Sequence, residues 1–211
     1  MKFYPGALAV AVRKTMADLR DVQEIKDFYL AGGTALALIL GHRESVDLNF
    51  FSATNTLGFE ERKELLGQIS RLRGFQLEEE KQGTLHALLG QTSVSFFHYA
   101  YPLLHNVNTH QGIQIASLED IGLMKLAALA GRGSRKDFID LFFLAKKQLP
   151  LKRLLELGSR KFKDQRDFSV QVMKAAVYFE DAEKEPIPKM NKKFSWEALK
   201  DYFKKAAREI A

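Results

Sequence analysis

The sequence of 211 residues contains no cysteine. Disulfide bonds, thiol catalysis and zinc–thiolate sites are therefore excluded, and the composition suits a reducing compartment. Long hydrophobic runs are also missing, because the longest one, Leu30 to Gly41, has 12 residues and is too short to span a bilayer. We find no pattern of a signal peptide and no internal repeat. These features predict a cytoplasmic protein that has no membrane partner.

The rest of the composition is typical of a globular protein with a basic surface. Apolar residues make up 46% of the chain and charged residues 27%, which is enough apolar material for a sizeable core. The formal net charge is +6. A basic balance favours anionic partners such as nucleotides and nucleic acid.

The spacing of apolar residues predicts an α/β part followed by a helical part. Recurrence at three- and four-residue steps indicates amphipathic helices, and alternation of apolar and polar residues indicates strands. Helices are predicted over residues 7–28, 34–40 and 59–72, and strands over 28–31, 46–51, 75–80, 85–89, 93–99 and 112–115. Further helices are predicted over 118–130, 136–147, 151–162, 168–183 and 195–210. We therefore expect an α/β domain over residues 1–116 and a helical domain over residues 117–211.

Two adjacent glycines, Gly32 and Gly33, interrupt the apolar segment "YLAGGTALALIL" between a predicted strand and a predicted helix. Glycines let a phosphate approach the backbone, and the free N–H groups at the start of a helix point at it. Thr34 adds a hydroxyl group to this turn. The same pattern also fits a tight strand-to-helix turn that binds no ligand.

Asp47 and Asn49 alternate with apolar residues in the next predicted strand. Val46, Leu48 and Phe50 are expected on its inner face. Asp47 and Asn49 therefore point to the same, opposite face, with Cα atoms roughly 7 Å apart. Two carboxylates so placed could share Mg²⁺, which bridges to nucleotide phosphates, but an amide oxygen is a weaker and uncharged ligand. A strand end that carries polar residues at the surface remains the alternative.

Polar residues also stand within the apolar pattern of the helical part. Lys125 lies in "GLMKLAALAG", and Lys136, Asp137 and Asp140 share one helical turn in "RGSRKDFIDLFFL". A solvated helix edge with an ion pair from Lys136 to Asp140 would explain the second group. A lysine whose ammonium group reaches the solvent from a helix edge would explain the first.

Four segments, in order, resemble the AbiEii/AbiGii toxin family of nucleotidyltransferases, also called the type IV toxin–antitoxin nucleotidyltransferase family. They are "GGTALAL", "GHRESVDLNFF", "LEDIGLMKLAALAGRG" and "KDFIDLFFL", and the resemblance covers residues 28 to 147, with a looser match beyond. It implies a DNA-polymerase-beta-like α/β (α+β) fold, in which a mixed sheet is flanked by helices. A carboxy-terminal helical bundle is expected to follow the sheet domain and to complete the cleft.

The resemblance implies a nucleotide and metal site in the α/β part. Gly32 and Gly33 match the glycine turn that holds the triphosphate. Asp47 matches the first metal-binding carboxylate, and Asn49 stands where the second aspartate usually is. A third carboxylate is not evident, because "TSVSFFHYAY" offers only serines and a histidine where related folds often carry an acid.

The resemblance assigns roles in the helical part as well. Lys125 matches the lysine of the third motif and Asp140 the aspartate of the fourth, so that Asp47, Lys125 and Asp140 are the expected catalytic residues. The nucleotide-binding set is expected to comprise Gly32, Gly33, Thr34, Arg43, Ser45, Lys136 and Asp137.

These assignments predict a nucleotidyltransferase-like protein that binds an NTP and Mg²⁺ or Mn²⁺. Its expected acceptor is an RNA, such as tRNA, or a protein, and its expected role is that of a toxin with a cognate antitoxin. Because Asn49 weakens the metal site, two alternatives stay open. The chain could be a degenerate transferase that only binds nucleotide or RNA, or a partner-binding scaffold without catalysis.

Overall fold

The computed structural model describes residues 2–210 of the protein. The chain divides into two compact units, of which the first ends at Ser117 and the second begins at Leu118. The first unit contains a mixed sheet with helices, and the second is helical. The predicted α/β fold followed by a helical part is therefore confirmed.

The first unit is built around one mixed sheet. Within its described residues the sheet has seven strands in the order β3-β4-β5-β2-β1-β7-β6. The strands are β1 (Tyr29–Leu30), β2 (Asp47–Ser52), β3 (Phe75–Lys81), β4 (Thr84–Leu89), β5 (Thr92–His98), β6 (Asn108–His110) and β7 (Ile113–Ile115). Strand β2 runs parallel to β5, and β1 runs parallel to β7, whereas the other pairs are antiparallel.

The two faces of β2 differ, as its alternating sequence predicts. Leu48 and Phe50 are fully buried, and the Phe50 ring stacks on Phe96 of β5 with ring centroids 5.3 Å apart. Asp47 and Asn49 lie on the other, more open face. The expected burial of Val46 is wrong, because this residue precedes the strand and is 59% exposed.

The predicted helix over residues 7–28 is divided into three pieces. Helix α1 covers Val10–Leu19, and the segments Pro5–Ala7 and Gln23–Asp27 are 3₁₀ turns. Val22 adopts an extended conformation, which ends the helical path. The apolar periodicity continues across this break because a 3₁₀ turn also buries residues three apart, as Val22 and Ile25 show.

Two further helices complete the regular structure of the first unit. Helix α2 covers Gly32–Leu40 and begins two residues earlier than expected, so that both glycines belong to its first turn. Helix α3 covers Phe59–Ile69. The short edge strand β6 was not predicted, because its sequence Asn-Thr-His carries no apolar alternation.

The second unit consists of helices α4 (Leu118–Gly131), α5 (Arg135–Ala145), α6 (Leu151–Lys161), α7 (Phe168–Ala176), α8 (Glu180–Lys184) and α9 (Trp196–Ile210). The predicted helix over 168–183 is interrupted between α7 and α8, where Phe179 turns inward against Phe138, with ring centroids 5.0 Å apart. A fully buried ion pair of 2.8 Å joins Lys161 of α6 to Asp120 of α4. Across residues 2–210, no helix combines the length and apolar character needed to cross a bilayer.

Candidate functional site

The glycine turn connects β1 to α2 and lies beside Asn49. Gly32 has φ +69°, a left-handed conformation that favours glycine. The Ala31 N–H donates to the backbone oxygen of Asn49 at 3.1 Å, which ties the turn to β2. A Cβ atom on Gly32 would lie 4.0 Å from Cβ and Nδ2 of Asn49. The first turn of α2, with its unsatisfied N–H groups, therefore starts next to this amide.

Gly33 serves a different purpose, because its backbone is not left-handed. A Cβ atom at this position would overlap Nη2 of Arg43. The Arg43 residue is only 3% exposed, and its Nη1 donates to the Glu44 carbonyl oxygen at 3.1 Å. The absent side chain of Gly33 thus admits a buried cation to the first turn of α2. Positive charge and helix N–H groups together favour an anion here.

Two buried hydroxyl groups hold the Asp47 carboxylate. The Thr34 hydroxyl shares a hydrogen bond of 2.7 Å with the Ser45 hydroxyl and lies 3.1 Å from Asp47 Oδ1. Ser45 Oγ donates to the same Oδ1 at 3.2 Å, and Thr34 also contacts the Asp47 backbone oxygen. Within the described residues, Oδ2 of Asp47 makes no hydrogen bond. The exposed carboxylate is therefore oriented through one oxygen, and the other is available to a ligand.

The sheet face around Asp47 fits a metal ion only in part. Strand β5 lies in register with β2, so that Ser93 faces Asp47 and Ser95 faces Asn49. Nowhere in residues 2–210 are three acidic or histidine side chains grouped as a metal site. One carboxylate, one amide oxygen and hydroxyl groups suit Mg²⁺ only when nucleotide phosphates supply further oxygens. The donor set thus fits a metal that arrives with its nucleotide.

A chain of polar side-chain contacts continues from Ser95 across the same face of the sheet. His86 Nδ1 lies 2.7 Å from Ser95 Oγ, and His86 Nε2 lies 3.3 Å from Glu79 Oε2. The side chain of Phe97, next on this face of β5, packs against the imidazole in a T-shaped arrangement. The sequence left the role of His86 open, and its pairing with Ser95 follows from a two-residue turn at Gly90-Gln91.

A second cluster of charges lies in the helical unit. Lys125 Nζ is 2.9 Å from Asp137 Oδ1 and 2.7 Å from Asp140 Oδ2. Both carboxylates are fully buried, and the Lys125 residue is 5% exposed, so that it does not reach for solvent. The structure therefore brings Lys125, Asp137 and Asp140 together. The exposed Lys136 lies outside the cluster, and the ion pair from Lys136 to Asp140 considered above is replaced by the pair from Lys125.

Two residues that the sequence did not single out support Asp137. Arg132 Nε donates to Asp137 Oδ2 at 2.9 Å, and Ser134 Oγ donates to the same oxygen at 2.8 Å. Ser134 also caps α5 by accepting from the Asp137 N–H. The sequence signal was Ser134-x-x-Asp137, a serine and an acid at the spacing of a helix cap.

The electrostatics of this cluster keep Asp137 ionised. Burial acts to raise the pKa of the Asp137 carboxyl, but the charges of Lys125 and Arg132 and their hydrogen bonds outweigh it, so that the pKa is lowered. The hydrogen bond with Asp137 raises the pKa of Arg132 in turn. The result is an ammonium group held in one position between two buried aspartates.

A cavity of about 360 Å³ lies elsewhere in the first unit. It is lined by Leu8, Arg13, Met16 and Leu38, among others, and contains none of the predicted site residues. We therefore locate the candidate site of the first unit on the open sheet face around Asp47.

Comparisons with known proteins identify the family and the fold type of the chain. The model of the family described as nucleotidyl transferase AbiEii toxin, type IV TA system, matches residues 14–211. An uncharacterized protein of Aquifex aeolicus (strain VF5) is 41% identical over 190 residues, which cover 87% of each chain. MenT4, a nucleotidyltransferase toxin from Mycobacterium tuberculosis H37Rv, superposes with a TM-score of 0.62 at 15% identity, over 95% of this chain and 82% of its own. JHP933 from Helicobacter pylori superposes with a TM-score of 0.57 at 21% identity, over 94% and 88%.

The structural likenesses are distant in sequence and bear on the fold, which is of the nucleotidyltransferase type, as expected. The family match extends over nearly the whole chain and includes both units. It contains the glycine turn, Asp47 and the Lys125–Asp140 pair in one sequence. The chain therefore belongs to the AbiEii family of nucleotidyltransferase toxins of type IV toxin–antitoxin systems.

Proposed function

We propose that the protein is an active, metal-dependent nucleotidyltransferase that transfers a nucleotidyl group from an NTP to a hydroxyl group of an RNA, with tRNA as the leading candidate. The observation that carries this proposal is the oriented Asp47 carboxylate. Thr34 and Ser45 both hold its Oδ1, and it shares a sheet face with Asn49, beside the glycine turn. An aspartate with no functional role at the surface would be solvated by water and would need no hydrogen bonds from two buried hydroxyl groups.

In the proposed reaction the glycine turn binds the phosphates of the NTP. The first N–H groups of α2 donate to phosphate oxygens, and Arg43 behind Gly33 adds positive charge. Asp47 and Asn49 would hold Mg²⁺ or Mn²⁺ through a carboxylate and an amide oxygen. When bound, the metal neutralises phosphate charge and favours in-line displacement at the α-phosphorus.

Lys125 and Asp140 are proposed to take part in the same reaction. Lys125 contributes a positive charge that stabilises the charge developing on the phosphates. Asp140 and Asp137 position its ammonium group from two sides, at 2.7 and 2.9 Å. Lys136 is exposed and could contact the nucleotide or the acceptor only from the surface of α5.

The partners proposed here follow from charge and from the family. The net charge of +6 favours a polyanionic acceptor such as RNA over a protein. The type IV toxin–antitoxin assignment supports a cognate antitoxin as a second partner. We place the reaction in the cytoplasm, where NTP and tRNA are available.

One observation favours a second candidate function. Asn49 replaces a charged metal ligand, and the adjacent β5 presents Ser93 and Ser95 where a further carboxylate would help. A site with one carboxylate can bind a nucleotide–metal complex without turning it over. The second candidate is therefore a module that binds nucleotide or RNA and is not catalytic.

Labelled nucleotides separate these functions. The protein is incubated with each α-³²P-labelled NTP, Mg²⁺ or Mn²⁺, and total RNA, and the RNA is resolved on a gel. We expect label in RNA of tRNA length with the wild-type protein and none with Asp47→Ala. The control variant Asp18→Ala removes an exposed carboxylate of α1 and should label RNA normally.

Two other results would contradict the proposal. Nucleotide binding by calorimetry without labelling of RNA or protein would favour the binding module. If the protein neither binds nucleotide nor labels an acceptor, the partner-binding scaffold is the remaining function.

A further inference from the structure

The chain of polar side-chain contacts from Ser95 to Glu79 starts beside the candidate metal ligands. Ser95 is paired in register with Asn49, His86 with Ser95, and Glu79 with His86. Residues paired in this way point to one face of the sheet. Three polar side chains on three neighbouring strands therefore form a line that leads away from Asn49.

A bulge in β3 is what places Glu79 in this line. Leu77 pairs with Ala87, but Glu79 and not Glu78 pairs with His86, so that the register shifts by one residue between them. In a regular ladder Glu79 would lie opposite Leu85, on the other face. Bulges re-aim a side chain at the cost of local pairing, and here the result is a carboxylate 3.3 Å from the imidazole.

The chemistry of the three groups sets the direction of the protons. The Glu79 carboxylate, 3.3 Å from His86 Nε2, can only accept hydrogen bonds, which favours the tautomer with the proton on Nε2. In the neutral imidazole Nδ1 then has a free electron pair, which accepts the Ser95 O–H at 2.7 Å. This order of hydroxyl, imidazole and carboxylate draws a proton away from the hydroxyl group.

The surroundings hold the imidazole in this orientation. Ser95 is 6% exposed, and the Phe97 ring packs edge-on against His86, with centroids 5.2 Å apart. The neighbours of His86 on β5 are thus uncharged. On β3 its charged neighbour is Glu79, whose other partner is Lys81 at 2.7 Å.

We propose that Glu79, His86 and Ser95 form a proton relay that accepts the proton of the attacking hydroxyl group during nucleotidyl transfer. This inference rests on the function proposed above. The acceptor oxygen forms a bond to the α-phosphorus, and the bond from the α-phosphorus to the bridging oxygen breaks, releasing pyrophosphate. The acceptor proton passes to Ser95 Oγ, while the proton of Ser95 passes to His86 Nδ1. Glu79 stabilises the imidazolium, which later releases the proton to water.

In the described part of the chain, the candidate site lacks another group that could accept the proton of the attacking hydroxyl group. The sheet face offers Asp47 as its single carboxylate near the turn, and a carboxylate that binds metal is a poor base for a hydroxyl group. An imidazole has an unperturbed pKa near neutrality, which suits general base catalysis. In this assignment Ser95 touches the acceptor and His86 and Glu79 act through it.

The test separates binding of the nucleotide from its transfer. The variants His86→Gln, Ser95→Ala and Glu79→Gln are compared with wild type for NTP affinity, by calorimetry with Mg²⁺, and for kcat with α-³²P-labelled NTP and total RNA. We expect His86→Gln to lower kcat by about 10²- to 10⁴-fold, the usual share of a general base, with NTP affinity almost unchanged. Imidazole in the buffer should restore part of the transfer by His86→Ala.

A matched control and the pH profile complete the design. His98→Gln changes an exposed histidine of β5 that points to the opposite face, and should leave kcat unchanged. The pH dependence of kcat should differ between the wild-type protein and His86→Gln, because the variant has no imidazole to take up the proton. Ser95→Ala tests the relay independently if His86→Gln does not fold.

Three outcomes overturn the inference. If His86→Gln and Ser95→Ala both have the kcat of wild type, the relay does not operate, and the proposed function is unaffected. A nucleotidyl group found on Ser95 by mass spectrometry would make this serine the nucleophile. If the wild-type protein labels no acceptor, the proposed function fails, and the relay fails with it.

Discussion

The ammonium group of Lys125 lies 2.7 Å from the carboxylate of Asp140, and both groups are withdrawn from solvent. The same ammonium group lies 2.9 Å from Asp137. One cation therefore serves two buried acids, and Arg132 supplies a second cation that contacts Asp137. This arrangement makes Lys125 the member on which the charge balance of the cluster depends.

Replacement of Lys125 by methionine should destabilise the helical unit strongly. The change leaves two buried carboxylates short of their shared cation, and breaking a buried pair costs about 3–5 kcal/mol. Lys136→Met is the matched control, since Lys136 is an exposed lysine on the neighbouring helix, and it should stay within about 0.5 kcal/mol of wild type. Urea denaturation of both variants measures the difference. Equal midpoints would mean that the cluster contributes nothing to stability.

Acid should destabilise the protein through Asp137. Its pKa is lowered in the folded state, so that below about pH 4, the ordinary range of an aspartate, the unfolded chain binds the proton first. The stabilising contribution is therefore complete above the unfolded pKa and is lost as the pH falls through the folded pKa.

The variant Asp137→Asn cannot lose this contribution. It should be less stable than wild type at pH 7, and its melting temperature should fall less steeply between pH 5 and pH 2.5. Melting curves of the two proteins across this range test the effect. Parallel curves would assign the acid sensitivity to other carboxylates.

The sheet was predictable because its signals are local. Apolar alternation and the two-residue turn at Gly90-Gln91 define β4, β5 and their register, which already pairs His86 with Ser95. The pairing of Glu79 with His86 was not predictable, because it depends on a bulge that the sequence of β3 does not indicate.

The charge cluster of the helical unit was predictable only in part from the sequence. Spacing along a helix placed Asp137 and Asp140 on one turn, and it offered Lys136 as their neighbour in sequence. The cation that they bind comes from a different helix, 12 and 15 residues away in the chain. Periodicity describes one helix at a time, so that the choice between Lys125 and Lys136 required either the fold or the family resemblance.

Gly33→Ala should change the sign of its effect when Arg43 is removed. Alanine favours a helix over glycine by up to about 1 kcal/mol, but at this position its Cβ atom would overlap the buried Arg43 guanidinium. Overpacking of this kind costs about 1–3 kcal/mol. We therefore expect Gly33→Ala to destabilise the wild-type protein and to be neutral or stabilising in an Arg43→Ala background.

A double-mutant cycle from chemical denaturation gives the coupling of these two residues. It should exceed about 0.5 kcal/mol, the range of residues in contact. Both single variants should also weaken NTP binding, since Gly33→Ala displaces the Arg43 guanidinium from the first turn of α2 and Arg43→Ala removes it. An additive cycle would show that Gly33 makes room for something other than Arg43.

Asn49→Asp should convert the candidate metal site from one that needs nucleotide to one that binds Mg²⁺ by itself. Within the described residues the Asn49 amide makes no side-chain hydrogen bond, so that the change breaks no network. It places a second carboxylate beside Asp47 on the half-open face of β2. Without metal, the two like charges should lower the melting temperature of the variant below that of wild type.

Addition of Mg²⁺ should raise the melting temperature of Asn49→Asp above that of wild type. A metal concentration ten times the dissociation constant stabilises the folded state by about 1.4 kcal/mol, which corresponds to roughly 3–6 °C for a protein of this size. We expect such a shift for Asn49→Asp on addition of 10 mM Mg²⁺, and almost none for wild type unless NTP is also present. The labelling of RNA should increase in parallel, because the added charge holds the metal that the reaction uses.

A control variant separates this effect from a general response to added charge. Asn108→Asp makes the same substitution on β6, an edge strand that is three positions from β2 in the sheet, and its melting temperature should not respond to Mg²⁺. If Asn49→Asp melts lower than wild type at every Mg²⁺ concentration and transfers no more nucleotide, the weakened-transferase explanation is wrong. The amide would then belong to a site that binds nucleotide without turning it over, which is the non-catalytic binding module.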